Sequence, residues 1–196
     1  MKKLVGLTGK TGAGKSTVSA LLKEKGAYVI DGDIIAREVL VDNCELLDKL
    51  SAEFGCGIIN TDGSLNRRAL AKAAFSTPEK TEKLNSIMHP AINAAIFEEV
   101  EKAFLEYDVV IVDAAAIIES GFTEKSDYLI VVYAPIGIRK ERIIKRDRLT
   151  EADADVRING QKDDAFYLSK ADFVFNNFPP HNTEEQFLQL EKELFD

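Results

Sequence analysis

The stretch Gly9-Lys10-Thr11-Gly12-Ala13-Gly14-Lys15-Ser16 fits the pattern G-x-x-x-x-G-K-[ST], and its flanks narrow the fold more than any other feature of the chain. The apolar run Leu4-Val5-Gly6-Leu7-Thr8 precedes it, and Thr17 to Lys23 reads as a helix that Gly26 stops. Glycines at positions 9, 12 and 14 leave out three Cβ atoms, so the loop can curl and aim successive backbone N–H groups at phosphate oxygens. On this pattern Gly12, Ala13, Gly14, Lys15, Ser16 and Thr17 form the nucleotide-binding set. Lys15 is expected to reach the β- and γ-phosphates of ATP and the Ser16 hydroxyl to bind Mg²⁺, while the helix N-terminus adds partial positive charge.

The rest of the chain alternates strand and helix. Tyr28-Val29-Ile30, Asp108 to Asp113, Tyr128 to Tyr133 and Phe173-Val174-Phe175 read as further strands, with apolar runs suited to burial on both faces. A helix is expected after Pro90, carrying Phe97, Val100 and Phe104. Thr183-Glu184-Glu185-Gln186 resembles a capping box for a last helix that turns Phe187, Leu190 and Leu194 inward. The expectation is an α/β fold, a doubly wound parallel sheet of about five strands. From about 43 to 105 the pattern gives three or more helices and no clear strand, with Asp62-Gly63 suited to a short turn. Such an insertion beside the core reads either as a substrate-binding subdomain or as extra core helices.

Composition excludes several classes. At 196 residues, 45% of them hydrophobic, the chain suits one well-packed domain, 1–196. A net charge of −8, from 25 Lys and Arg against 33 Asp and Glu, argues against a nucleic-acid or anionic-membrane partner. No run of eighteen apolar residues and no signal-peptide pattern is visible, so the cytoplasm is the expected compartment. Cys44 and Cys56 lack metal-ligand spacing and read as free thiols. No apolar stripe or heptad argues for assembly beyond a monomer or a weak homo-oligomer.

Carboxylates and cations supply the candidate chemistry. Asp31 and Asp33 follow the second strand, at the sheet edge where open α/β folds bind ligands. One could cap the helix Ile34 to Val39, and Asp33 is the expected general base, orienting an attacking hydroxyl and accepting its proton. Asp113 closes an apolar run, the pattern of a carboxylate that helps hold Mg²⁺, although a strand-end cap looks the same. Between Arg139 and Arg148 stand six basic residues against two acids, either a solvated helix face or a cationic lid. On its own, His89 before Pro90 reads as a turn residue.

Taken in order, these blocks resemble the dephospho-coenzyme A kinases. The phosphate loop resembles that family's opening, and Val29-Ile30-Asp31-Gly32-Asp33-Ile34-Ile35-Ala36-Arg37 is similar to its signature V-I-D-[AG]-D-x-[IL]-A-R. Asp62 to Leu70, Leu84 to Pro90, Arg142 to Asp147, Arg157 to Gln161 and Ala171 to Asn177 follow in the family's sequence. The resemblance implies transfer of the ATP γ-phosphoryl group to the ribose 3′-hydroxyl of dephospho-coenzyme A, the last step in making coenzyme A. It implies Asp33 as base, a lid at about 139–165 with Arg142 and Arg146 over the phosphates, and Thr8, Arg37, Arg67, Arg68 and His89 on the acceptor side. Three departures stand out: Lys10-Thr11 in place of Gly and an aliphatic residue, Ala114-Ala115-Ala116-Ile117-Ile118 between Asp113 and Glu119 without the usual proline, and Phe178-Pro179-Pro180 after Asn177. A nucleoside or nucleotide kinase could use the same loop, base and lid, and a non-catalytic nucleotide sensor the loop alone. A guanine-reading N-K-x-D is missing, which argues against a GTPase.

Overall fold

The computed structural model describes residues 2–41, 43–181 and 183–195. Two compact units divide the chain, one of Met1–Ile30 with Val100–Asp196 and one of Asp31–Glu99.

The first unit is built on a five-stranded sheet: β1 (Lys3–Thr8), β2 (Tyr28–Asp31), β3 (Val109–Asp113), β4 (Tyr128–Tyr133) and β5 (Phe173–Asn176), in the order β2-β3-β1-β4-β5. β1 lies centrally and pairs in parallel with β3 and β4, and β4 pairs in parallel with β5. Carboxylates satisfy two strand-edge donors, with Leu4 N–H bonded to Asp127 at 2.7 Å and Leu129 N–H to Asp172 at 2.8 Å. The expected strands are all present, and the fold is the expected α/β sheet with helices.

Around this sheet lie α1 (Lys15–Glu24), α6 (Ile136–Asp147), α7 (Glu151–Asn159), α8 (Asp164–Leu168) and α9 (Thr183–Phe195). Val5, Leu7, Val18, Leu22, Ile111, Ile130, Phe175 and Leu190 form one apolar core between the sheet and helices α1 and α9. Phe187, Leu190 and Leu194 are buried at the expected spacing of α9. At its start Thr183 is already helical, and the Gln186 amide clasps both backbone groups of Asn176, at 2.8 and 3.1 Å. Position 182, just before it, lies outside the described residues.

The second unit holds α2 (Gly32–Glu38), α3 (Cys44–Phe54), α4 (Arg67–Ala74) and most of α5 (Pro78–Ala103). Leu40, Leu46, Leu50, Ile58, Leu70, Ala74 and Met88 give it a core of its own. The expected turn at Asp62-Gly63 forms, with Gly63 at φ +83 and Ile59 bridged to Leu65. Pro90 corrects a sequence expectation. It lies inside the 26-residue α5 rather than before a helix start, so His89 is helical and not a turn residue. Proline removes one helical hydrogen bond there, and buried side chains on both sides of it, Met88, Ile96 and Val100, hold the helix through the gap. Phe104 falls just past the helix end. Cys44 and Cys56 are exposed and unbridged. Among the described residues no helix is long and apolar enough to cross a membrane.

Candidate active site

Parallel register sets the site. Leu7 of β1 stands level with Asp113 of β3, so the phosphate loop begins two residues beyond the carboxylate that closes the neighbouring strand. Lys15, the first residue of α1, brings its Nζ to 3.3 Å from Asp113 Oδ1. Both side chains are about four-fifths buried, where Coulomb attraction is less screened than at the surface. A carboxylate that takes a lysine cation here has the charge and the exposure to take Mg²⁺.

The loop is held for anions. Gly14 is the N-cap of α1 at φ +97 and carries no side chain to occupy the helix's first N–H groups, and no acid stands in that first turn. By contrast Asp31, Asn43, Asn66, Thr150 and Asp163 each cap their own helices through a side-chain oxygen. Ser16 and Thr17 are exposed. A helix N-terminus without a side-chain cap and a nearby lysine have the chemistry to take a phosphate. Two glycines are required on space as well as angle: a Cβ on Gly12 would come within 2.5 Å of the Arg139 carbonyl, and one on Gly14 would collide with the Asn177 amide.

Arg142 occupies an unexpected place. Its guanidinium donates to the carbonyls of Gly12 (3.3 Å), Ala13 (3.1 Å) and Asn177 (2.8 Å), and the Asn177 amide also donates to Ala13 O at 2.8 Å. Arg142 therefore braces the loop from its carbonyl side. Arg146 is exposed and donates twice to Asp147, at 2.7 and 2.8 Å, while Arg157 reaches the same carboxylate at 2.6 Å. These bonds raise the Arg146 pKa and hold the Asp147 carboxyl below its ordinary value, the Arg146 hydrogen bond being the largest cause of each. Lys140 pairs with Asp155 and Glu151. The basic run is thus tied into α6 and α7, and Ile143, Ala154 and Ile158 pack beneath it.

Thr8 is fully buried, and its hydroxyl donates to Ala115 O at 3.3 Å. It fixes the alanine-rich segment rather than facing a ligand directly. In the second unit, Asp31 Oδ1 accepts from Ile34 N–H at 2.9 Å and caps α2, which leaves Asp33 in the first turn. The cap is therefore Asp31, and Asp33 sits inside the helix instead of just before it. Arg67 donates to the Arg37 carbonyl at 2.7 Å, Arg68 lies beside it in the first turn of α4, and His89 is in α5. Sequence reasoning missed Asn177 as a loop contact and Gln161 and Asp164 as partners of Thr11 and Lys10. No local pattern signals partners 150 or more residues away.

A phosphate loop on the central strand of a parallel sheet, its lysine beside a strand-end carboxylate, defines a P-loop nucleotide-binding protein. A family model for dephospho-CoA kinase matches residues 3–181. The chain belongs to the dephospho-CoA kinase family. It is 44% identical over 187 residues to a dephospho-CoA kinase of Corynebacterium jeikeium, covering 94% of each chain. Among solved structures, the Thermus thermophilus protein TT1252 superposes with a TM-score of 0.82 at 30% identity, over 100% of this chain and 99% of that one. A dephospho-CoA kinase from Campylobacter jejuni gives 0.69 at 27% identity, over 98% and 97%.

Proposed function

We propose that the protein transfers the γ-phosphoryl group of ATP to the ribose 3′-hydroxyl of dephospho-coenzyme A, giving coenzyme A and ADP. The Lys15–Asp113 pair at the mouth of the uncapped α1 is the observation that carries the phosphoryl-transfer half of this reading. Family membership supports the acceptor.

The loop from Gly12 to Thr17 holds the triphosphate, with the Gly12, Gly14, Lys15 and Ser16 N–H groups as donors while those of Ala13 and Thr17 close the loop on the Lys10 and Gly14 carbonyls, and Lys15 sets its ammonium against the β- and γ-oxygens. Ser16 and Asp113 would hold Mg²⁺. Among the described residues no three acid, His or Cys side chains gather into a metal site, which suits an ion that takes most of its ligands from phosphate and water. When bound, it supplies positive charge to the phosphate oxygens. Asp33 accepts the proton of the 3′-hydroxyl as that oxygen bonds to the γ-phosphorus and the bond to the β,γ-bridging oxygen breaks. Arg37, Arg67, Arg68 and His89 serve the acceptor, in a helical substrate-binding insertion at about 43–105, with Thr8 acting through Ala115. Arg142 supports the loop. Arg146, in a helical lid at about 139–165, exchanges its Asp147 partner for the transferring phosphate, and closure there excludes water. The protein works in the cytoplasm, as a monomer or weak homo-oligomer.

An acceptor panel tests this reading. With Mg-ATP and equal concentrations of dephospho-coenzyme A, adenosine, AMP and cytidine, the first is expected to be phosphorylated with far the highest kcat/KM. Preferred turnover of a nucleoside or nucleotide points to the related kinases instead, and binding without turnover to a sensor.

A further inference from the structure

Two contacts join the first half of the phosphate loop to the connection after α7 and to the first residue of α8. Lys10 Nζ lies 3.0 Å from Asp164 Oδ1, and Gln161 Oε1 accepts from the Thr11 N–H at 2.9 Å. They fall on consecutive loop residues, one as an ion pair and one as a backbone hydrogen bond. Asp164 Oδ1 also accepts from Arg139 Nη2 at 3.2 Å. Arg139 is 1% exposed and its Nε and Nη1 have no partner among the described residues, so it depends on Asp164 for compensation of its buried charge. Lys10, at 11% exposure, is likewise shielded from water. Asp164 is therefore anchored between two cations. At the far end of α8, Tyr167 donates to Glu119 Oε1 at 3.2 Å, and burial pushes its phenol pKa up, with Glu119 adding to the rise, so the hydroxyl keeps its proton.

The Thr11 N–H has a further consequence. Taken by Gln161, it is not among the donors offered to phosphate, and the curve of the loop is fixed just upstream of Gly12. Beyond it the Ala13 N–H turns back to the Lys10 carbonyl at 3.0 Å and the Thr17 N–H to the Gly14 carbonyl at 3.1 Å, so the donors offered to phosphate are those of Gly12, Gly14, Lys15 and Ser16.

We infer that Lys10 and Gln161 are positioning residues. Through Asp164 and the Thr11 N–H they use the α7–α8 connection as a brace that holds the phosphate loop in its receptive curve before the nucleotide arrives. A preorganised loop binds with less ordering cost, so losing either tether weakens ATP binding more than it slows transfer. The prediction for ATP rests on the kinase reading above; the brace does not.

Steady-state kinetics and hydrogen exchange together decide it. Lys10→Met and Gln161→Ala are each expected to raise the KM for ATP about fivefold, with kcat within about twofold. Lys10→Arg, which keeps the charge, restores the wild-type KM. In the nucleotide-free protein, both disruptive variants speed amide exchange across residues 161–168. A KM at the wild-type value in Lys10→Met and Gln161→Ala overturns the proposal even if Tm falls, because loss of packing alone lowers Tm without touching ATP binding. Exchange unchanged in both variants also overturns it. Faster exchange in a protein that fails to phosphorylate dephospho-coenzyme A supports the brace and defeats the functional reading.

Discussion

Asp31 and Asp33 stand two residues apart and do different work. Asp31 accepts the Ile34 N–H and starts α2, while Asp33, in the first turn, has its carboxylate near the positive end of that helix. The two substitutions therefore separate structure from chemistry. Asp33→Asn is expected to lower kcat about 100- to 10,000-fold while leaving the KM for ATP near wild type, since a base acts mainly in the transition state. Asp31→Ala is expected to cost about 1 kcal/mol of stability and to keep most of kcat. Thermal melts and initial rates on both variants check this; equal loss of kcat from both removes Asp33 from the role of base. Much of this scale was legible in the sequence. That Gly12 and Gly14 take positive φ and that Lys15 stands beside Asp113 follows from a pattern in which the residues are close in sequence or in register. The contacts of Arg142 could not be read: its three carbonyl partners come from the loop and from Asn177, 35 residues away, and a basic run gives no hint of which cation turns inward.

At the scale of elements, the junction of α6 and α7 is held by Asp147, which takes hydrogen bonds from Arg146 and Arg157. Its folded pKa lies below 3.8, so the pair stabilises the fold fully above the unfolded value and loses that contribution as pH falls through the lower folded one. The difference in Tm between wild type and Asp147→Asn is expected to be present at pH 7 and to shrink as the pH falls below 3.8. A difference that persists undiminished at low pH excludes the ionised carboxylate as its source. The strands were easy to read because their apolar runs are continuous and bounded by polar residues. Pro90 was not, because proline normally marks a helix start, and only burial of side chains on either side lets α5 run through it. The Gln186 clasp escaped for a similar reason, its partner being a strand end rather than its own helix.

Across the whole molecule, a sheet-based unit holds the phosphate loop, Asp113 and Thr8, and a helical unit holds Asp33, Arg37, Arg67, Arg68 and His89. Physics alone read a nucleoside triphosphate from the loop; it could not name the acceptor, because recognition of a ribose and its pantetheine arm leaves no short local pattern. That identity came from the ordered blocks, which the family match over residues 3–181 bears out. The central claim is the position of the new phosphate ester. The protein should be incubated with Mg-ATP and dephospho-coenzyme A, and the product analysed by mass and phosphorus NMR. A 3′-phosphate monoester, formed with one ADP per product, is expected. ADP released without a phosphorylated acceptor, or phosphate on any other hydroxyl, contradicts the assignment.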